Sequence, residues 1–288
     1  MHRHRIRDVM RGRFGAPLRV AYRVASGVEL VALAAYDAVG CQQRPAGERA
    51  EAARLLTMAA KTFERPRAAR RLVRSARSVF DGRIVIADDS RVSVRIDDPL
   101  VDVIPLPFNS GVSVGRNAAL DSIETEFVWV TDDDIVYTRR SDVTGAIAYL
   151  QDNPDVDLVG MTLVGLPELR ITTDGADALF PGHRPPKRPF GELIDGLLVR
   201  LKVPQCYVAR SEAIRRVRWD PNLRMVDHRD FFSRAAGEIV CVTDPAMVCY
   251  HAQTPFDTHY LGYRQDTGGD LEYLARVWGE RAQGGHSG

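Results

Sequence analysis

The stretch that most constrains the fold is Phe127–Tyr137, in which an apolar run leads into three consecutive aspartates. Residues 127–130 are apolar and mostly bulky, which predicts a short strand buried on both faces. Asp132, Asp133 and Asp134 follow, and their like charges repel while desolvation disfavours the ionised forms. A divalent cation shared with a ligand's phosphates would remove that cost. The stretch therefore predicts either a metal site at a strand end or aspartates that face water and cap the next helix.

Strands alternate with helices on both sides of this stretch. The apolar runs predict further strands at 55–63, 83–90, 101–106, 157–164, 201–209, 238–243 and 247–251. Helices are expected at 67–80, before about residue 122, at 141–151, from residue 226 and near 271–278. Alternation of this kind favours parallel pairing. We therefore predict an α/β fold with a mainly parallel central sheet and helices on both faces.

The chain divides by composition into three parts: a basic N-terminal arm plus a helix at 1–50, the main domain at 51–255, and a C-terminal tail with a helix at 256–288. Within the main domain, residues 165–190 are rich in Pro, Gly and Arg and have no clear period. A loop of that length inside a compact domain is typical of a lid or an acceptor-binding segment.

The N-terminal arm is strongly basic. Its arginines, set against the single acid Asp8, are Arg3, Arg5, Arg7, Arg11, Arg13, Arg19 and Arg23. Such an arm could attract an anionic membrane surface or nucleic acid. We expect peripheral contact at the inner face of a membrane and no nucleic-acid partner. The apolar segment 24–41 is interrupted by Glu29 and Asp37, so we expect a helix packed on the domain, with a helix lying on a bilayer as the alternative.

The four cysteines, Cys41, Cys206, Cys241 and Cys249, are far apart and show no CxxC spacing. That spacing argues against a zinc site and gives no support to a disulfide framework. We therefore expect a cytoplasmic location.

Polar residues stand where three of the predicted strands end: Lys61 and Thr62, Asp88 and Asp89, and the aspartates at 132–134. In an open α/β sheet, ligands bind at the carboxyl ends of the strands. The sequence contains neither GxGxxG nor GxxxxGK[ST], so a Rossmann dinucleotide site and a P-loop both lack support. The pattern instead predicts a nucleotide held by carboxylates and side-chain amides, with a metal on its phosphates.

Several ordered motifs resemble the GT-A glycosyltransferases, and in particular the β-1,4-N-acetylgalactosaminyltransferases of the ganglioside-synthase type, relatives of the inverting family-2 group. The motifs are KTFERP at 61–66, IVIADDS at 84–90, GRN at 115–117, WVTDDD at 129–134, DLVG at 157–160, YVAR at 207–210, WDPNL at 219–223 and HRDFF at 228–232. The likeness covers roughly residues 55–251 in a constant order and ends at His251. It implies a GT-A fold.

The resemblance also implies roles for the acidic cluster. Asp132 and Asp134 stand at the ends of the family's DxD motif. Asp134 would bind Mn²⁺ or Mg²⁺, and Asp132 would hold the ribose or the sugar of the donor. His251 would be a second metal ligand, although a structural surface histidine is the alternative. Oxygen and imidazole donors both suit such a metal.

The remaining donor contacts are implied at five positions. Asp88 and Asp89 match the residues that grip the uridine, with a plain β-turn as the alternative. Thr62 lies at the same predicted edge of the sheet, and the resemblance implies that it also contacts the donor. Arg116 and Asn117 open a predicted helix and would meet the diphosphate or the donor sugar, or else cap the helix and form salt bridges.

Inverting transfer needs a base that takes the proton of the acceptor hydroxyl. Asp230 matches the acidic position of the family's His-x-Glu-Phe-Phe signature, but its shorter side chain leaves the reach of the base open. Asp227 is the rival. His228 would orient the base or contact a donor phosphate, or simply cap its helix.

The expected function is therefore metal-dependent, inverting transfer from a UDP-sugar, with an N-acetylhexosamine as the first choice of sugar, to a glycan, glycolipid or other hydroxyl acceptor. Two alternatives are a nucleotidyltransferase that acts on a sugar phosphate and a non-catalytic sugar- or membrane-binding module. The first would carry a Gly-rich basic signature near the first strand, which residues 57–65 lack. The second would have lost the aspartates, which are present here.

Overall fold

A computed structural model of the 288-residue chain describes residues 15–253, 257–264 and 266–284. Its helices are α1 Ala16–Gly40, α2 Ala46–Leu55, α3 Pro66–Ala76, α4 Val112–Asp121, α5 Val143–Asp152, α6 Ser211–Val217, α7 His228–Ala235, α8 Thr258–Tyr263 and α9 Gly268–Gly284. Its strands are β1 Leu56–Thr62, β2 Ile84–Asp88, β3 Val101–Pro105, β4 Phe127–Asp132, β5 Ile135–Tyr137, β6 Leu158–Gly165, β7 Arg170–Ile171, β8 Leu193–Ile194, β9 Leu197–Arg200, β10 Cys206–Arg210 and β11 Cys241–His251.

These strands form a single mixed sheet in the order β3-β2-β1-β4-β10-β6-β11-β9-β8, with β5 added to β11 and β7 to β6. β1, β2, β3 and β4 pair in parallel, as do β6 and β11, whereas β10 and β9 run antiparallel to their neighbours. The predicted α/β class with a mainly parallel sheet is confirmed. The carboxyl ends of β1, β2 and β4 consequently meet at one edge of the sheet.

The sheet is covered by helices on both faces, as predicted. On one face, α3 and α5 bury Leu72 and Leu150 against strand residues that include Trp129. On the other face, α4, α6 and α7 bury a second cluster that includes Leu120 and Phe231. Strands that are buried on both faces need mostly apolar side chains, and the apolar residues of β1, β2 and β4 satisfy that need, with the polar residues of these strands mostly at their carboxyl ends.

Three of the differences from the predicted elements bear on the sheet and the site. The strand expected at 201–209 begins only at Cys206, because Pro204 has no N–H for a sheet hydrogen bond. The two strands expected at 238–243 and 247–251 are one strand, β11, whose register shifts between Asp244 and Val248, around Pro245. The helix expected to open near Arg116 begins at Val112, so Arg116 and Asn117 lie in its middle.

The N-terminal helix α1 packs on the domain, as predicted. Its Leu30 and Leu33 contact a small cluster that includes Leu166 and Tyr250. Within the described residues, no helix is long and apolar enough to cross a membrane. Most of the basic arm, residues 1–14, lies outside the described residues.

Candidate functional site

The predicted polar edge is present. Lys61 lies opposite Asp132 in the register of β1 and β4, and Thr62 lies opposite Asp88 in that of β1 and β2. The carboxyl ends of β1, β2 and β4 therefore lie side by side, with Thr62, Asp88 and Asp132 at the same edge of the sheet. We call the groove along this edge the crevice. The conformation of the loops that follow the strands determines which side chains face it.

Arg116 joins two aspartates at this edge. Its guanidinium donates to Asp132 at 2.6 Å and also to Asp227, and it lies 5.9 Å from the centre of the Trp219 ring. Burial alone would lower the pKa of Arg116, but the charges of Asp227 and Asp132 outweigh burial and raise it. Arg116 is therefore a fixed cation. Asp132 keeps 36% of its side chain exposed and is the carboxylate of this group that remains open to a ligand.

A second arginine, Arg65, holds the other two aspartates. Its guanidinium donates to Asp134 at 2.9 Å and to Asp133, and it stacks 4.0 Å from the centre of the Tyr260 ring. Asp133 also accepts a hydrogen bond from the Thr62 hydroxyl at 2.7 Å. Burial raises the pKa of Asp133 to about 6. Asp133 is 1% exposed. Asp133 and Thr62 therefore hold the cluster together, and the Thr62 hydroxyl points to Asp133 and not into the crevice.

Asp134 and His251 form the pair that could hold a metal. His251 Nε2 lies 3.3 Å from Asp134 Oδ1. Burial alone would lower the pKa of His251, but the hydrogen bond to Asp134 and the charges of Asp134 and Asp132 together outweigh burial and raise the pKa. A carboxylate oxygen and an imidazole nitrogen that face each other are donors that Mn²⁺ accepts, so the pair fits a cation whose other ligands are phosphate oxygens and water. The described part of the chain contains no group of three or more His, Cys, Asp or Glu side chains that could hold a metal.

Asp88 and Asp89 shape the loop after β2. Asp88 accepts hydrogen bonds from the backbone N–H groups of Ser90 at 2.9 Å and Val94 at 2.7 Å. Asp89 accepts one from the N–H of Gly111 at 3.0 Å, and Lys61 Nζ lies 2.7 Å from its other oxygen. Both side chains are almost fully buried. The predicted contact of these aspartates with uridine stays a prediction, and in this structure they hold the loop in place.

Gly115 explains how Lys61 reaches Asp89. A Cβ atom at position 115 would lie 2.4 Å from Lys61 Cγ, so only glycine leaves room for the lysine side chain beside α4. Asn117, two residues after Gly115, donates to the backbone carbonyl of Trp219 at 2.7 Å and accepts from its backbone N–H at 3.1 Å. Asn117 therefore fixes the segment that follows α6 and does not face the crevice.

The first turn of α7 carries the candidate bases. Asp230 is 1% exposed, and its two oxygens accept hydrogen bonds from Trp278 Nε1 at 2.9 Å and Arg234 Nε at 2.7 Å. The carboxylate of Asp227 forms a salt bridge with Arg116. His228 is half-buried, and its Nε2 lies 2.8 Å from the Val203 carbonyl. For Asp230 to act as a base, Trp278 and Arg234 would first have to release it.

Helix α9 holds the segment that leads into α7, and the sequence analysis did not anticipate this. Asp270, in its first turn, accepts hydrogen bonds from three consecutive backbone N–H groups, those of Arg224, Met225 and Val226, at 3.1, 2.7 and 2.9 Å. Tyr273 donates to Asp220 at 2.7 Å. Asp270 lies 46 residues from Arg224, and no local sequence pattern reports a contact of that kind.

Replacing Asp270 with alanine is expected to lower the free energy of unfolding by about 2–4 kcal/mol, because it removes a buried acceptor from three N–H groups at once. Hydrogen exchange followed by mass spectrometry should show faster exchange at 224–226. Glu272→Ala, an exposed change on the same helix, is the control and should leave the exchange unchanged. Equal exchange in both variants would show that Asp270 does not hold this segment.

An aromatic cluster lies beside the ends of β1 and β3. The ring centres of Phe63, Phe108 and Tyr263 are 5.2–5.8 Å apart, and Tyr263 belongs to α8. His259, also on α8, lies 2.6 Å from a Glu64 carboxylate oxygen. Helix α8 therefore covers the loop after β1, next to Arg65.

A cavity of about 580 Å³ lies between α1 and the start of α3. Its apolar wall includes Tyr22, Leu30 and Leu166, and its polar wall includes Arg65 and Arg71. Because Arg65 also contacts Asp134, this cavity adjoins the candidate metal pair.

Comparison with known proteins gives concordant results. The profile described as "Glycosyl transferase family 2" matches residues 61–217. Beta-1,4 N-acetylgalactosaminyltransferase 1 of Mus musculus is 33% identical over 203 residues, which cover 67% of this chain and 38% of that protein. Beta-1,4 N-acetylgalactosaminyltransferase 2 of Mus musculus is 27% identical over 233 residues, covering 76% and 45%. The chain thus spans less than half the length of these curated relatives.

Solved structures show the same fold. The crystal structure of S. aureus TarS 1-349 aligns with a TM-score of 0.50 and 15% identity, over 68% of this chain and 60% of that one. The structure of the same protein in complex with UDP gives a TM-score of 0.50 and 16% identity, over 69% and 61%. At such identities the likeness concerns the fold alone, and it agrees with the GT-A fold predicted from the motifs.

Proposed function

The chain belongs to glycosyltransferase family 2, and from that premise we propose that it transfers a sugar from a UDP-sugar to an acceptor hydroxyl with inversion at the anomeric carbon. The relatives named above are N-acetylgalactosaminyltransferases, which supports an N-acetylhexosamine as the donor sugar. Family membership also disfavours the nucleotidyltransferase alternative.

The observation that carries the proposal is the division of the acidic cluster at the carboxyl ends of the strands. Asp132 is held by Arg116 and remains partly exposed, while Asp134 faces His251. Asp133 is buried and serves as an anchor. Asp132 is thus the aspartate open to a ligand, and Asp134, whose side chain is 12% exposed, would meet one beside His251, an arrangement that suits a sugar nucleotide with a metal on its diphosphate.

We propose that Asp134 and His251 hold Mn²⁺ or Mg²⁺. When bound, such a metal would offset the negative charge that develops on the UDP leaving group. Asp132 would bind the ribose or the donor sugar through its exposed oxygen. Arg116 keeps that carboxylate in one orientation, which lowers the reorganisation needed when the donor binds.

The cavity beside Arg65 is the proposed entry for the acceptor. It adjoins Asp134 and combines an apolar wall with the side chains of Arg65 and Arg71. Residues 165–190 contribute no lining residue except Leu166. Elsewhere in this loop, Leu179 and Phe180 form hydrogen bonds with α7, so the acceptor-binding role predicted for the loop stays a prediction.

For the base, the geometry favours His228 over Asp230. The carbonyl of Val203 can only accept a hydrogen bond, so His228 Nε2 carries the hydrogen and donates, which leaves Nδ1 as the acceptor nitrogen of a neutral ring. Burial, followed by the charge of Lys202, lowers the pKa of His228, while the charge of Asp227 opposes that shift. His228 is therefore neutral at pH 7, as a general base must be. A role of Asp230 as the base stays a prediction from the sequence motif.

Two variants separate these candidates. His228→Gln is expected to reduce kcat by about 10²–10⁴ with a small change in the KM for the donor, because only proton transfer is lost. Asp230→Asn is expected to lower stability along with activity, because it weakens the bonds to Arg234 and Trp278. If Asp230→Asn keeps full stability and loses only kcat, Asp230 is the base.

The lowered pKa of His228 also predicts a pH effect on stability. As the pH falls below about 6.5, the unfolded chain takes up a proton on this side chain more readily than the folded chain does. The free energy of unfolding should therefore decrease in acid more steeply for the wild-type protein than for His228→Gln. Urea denaturation between pH 5 and 7.5 measures the difference, and parallel curves would mean that His228 does not titrate differently on folding.

The test of the proposed function is release of UDP from a panel of UDP-sugars in the presence of Mn²⁺. We expect release with at least one UDP-N-acetylhexosamine, and loss of release in Asp134→Ala and after treatment with EDTA. The exposed change Asp155→Ala is the control and should keep full activity. Release that persists in both Asp134→Ala and the EDTA-treated protein would contradict a metal-dependent reaction, and no release from any UDP-sugar would favour a non-catalytic module.

A further inference from the structure

Helix α1 is fixed on the domain by its inner face. Leu30 and Leu33 pack against the cluster of Leu166 and Tyr250. Asp37 is 1% exposed and accepts hydrogen bonds from the hydroxyls of Thr138 at 2.6 Å and Tyr250 at 2.8 Å. A buried carboxylate with two partners cannot leave its position without a large cost. The helix therefore cannot rotate to bury its opposite side.

That opposite side is an exposed apolar ridge. We call it the valine face: Val20, Val24, Val28, Val31 and Val39, with Ala35 between the last two. The spacings of three and four residues place these side chains on one side of the helix. The valines are 59–91% exposed. The ridge extends for about 28 Å at 1.5 Å per residue. Apolar surface of this extent on one face marks a contact with something outside the chain.

The charge of the adjoining sequence indicates what covers the face. Seven arginines and a single acid lie within the first 23 residues, next to the start of the ridge. A second copy of the chain would bring like-charged arms together in a parallel pair, and a helical seam of valine and alanine lacks the leucines that such pairs favour. A bilayer with anionic lipids offers both an apolar layer for the valines and negative headgroups for the arginines.

We propose that the valine face of α1 docks the protein onto an anionic lipid bilayer, with the helix lying in the plane of the interface. The inner face of α1 stays on the domain while the valines enter the boundary between headgroups and acyl chains. This surface is independent of the donor site, so its test needs no catalytic activity.

The experiment measures co-sedimentation of the full chain with vesicles of phosphatidylcholine alone or with about one third phosphatidylserine. The test variant carries Val24→Gln, Val28→Gln and Val31→Gln, which keep the charge and suit a helix. The control variant carries Val92→Gln, Leu100→Gln and Leu193→Gln, three exposed apolar positions elsewhere. Thermal unfolding checks that both variants keep the fold.

We expect the wild-type chain and the control variant to bind the phosphatidylserine vesicles, and the test variant to bind at least about tenfold more weakly, since three buried valines are lost. Added salt should weaken wild-type binding. Equal binding by the test variant, or no binding by the wild-type chain, would overturn the proposal. A dimer in light scattering that only the test variant loses, without vesicles, would identify a second copy of the chain as the occupant instead.

Discussion

Arg116→Ala is expected to lower the free energy of unfolding by about 3–5 kcal/mol, the cost of removing one partner from a buried ion pair. The variant leaves Asp132 and Asp227 facing each other without the cation that separates them. We expect sugar transfer to fall by a factor of about 10³, because Asp132 loses its fixed orientation as well. Urea denaturation and the UDP-release assay measure the two effects.

Two further variants make this prediction specific. Arg216→Ala removes an exposed arginine that pairs with Asp157 and Glu212 at 3.4 and 3.5 Å, and it should cost less than about 1 kcal/mol. Arg116→Lys keeps a charge but cannot bridge two carboxylates with a planar fork, so it should recover part of the stability and little activity. A loss for Arg116→Ala no larger than that of the Arg216 control would show that the bridge is unimportant.

The second large effect concerns Arg65. Arg65→Ala removes the cation that contacts Asp133 and Asp134, and it is expected to lower the free energy of unfolding by about 3–5 kcal/mol. In the wild-type protein, the guanidinium donates to Asp134 Oδ2 and would compete with a metal bound there. A bound cation would replace the missing charge in the variant. We therefore expect Mn²⁺ to raise the unfolding midpoint of Arg65→Ala more than that of the wild-type protein.

Thermal unfolding with increasing MnCl₂ measures this difference. Arg74→Ala, an exposed arginine on the same helix, is the control and should respond to Mn²⁺ as the wild-type protein does. Adding Asp134→Ala to Arg65→Ala should abolish the extra Mn²⁺ effect. If Mn²⁺ shifts all four proteins equally, the cation does not bind at Asp134.

The sheet and its polar edge were predictable because their signals are local. Strands buried on both faces need unbroken apolar runs, and Phe127–Val130 is such a run directly before three aspartates. Parallel pairing then brings Thr62, Asp88 and Asp132 to one edge. The burial of these strands and the negative charge at their carboxyl ends could therefore be predicted from the order of residues alone.

The partners of the site residues were not predictable in the same way. Arg116 meets Asp227 across 111 positions, and Trp278 reaches Asp230 across 48. Such pairs depend on how α4, α7 and α9 pack, and that packing cannot be predicted from the local patterns of a single sequence. Asp133 illustrates the limit, since its contacts with Arg65 and Thr62, both distant in sequence, are what show that it anchors the cluster.

Asp132, Asp134 and His251 are the residues that we propose bind a UDP-sugar and its metal. A crystal structure of the protein grown with UDP and Mn²⁺ tests this proposal most directly. We expect the metal between Asp134 and His251, the diphosphate on the metal, and the ribose within hydrogen-bond distance of Asp132. Well-defined UDP bound elsewhere, for example in the cavity between α1 and α3, with no metal at Asp134, would contradict it.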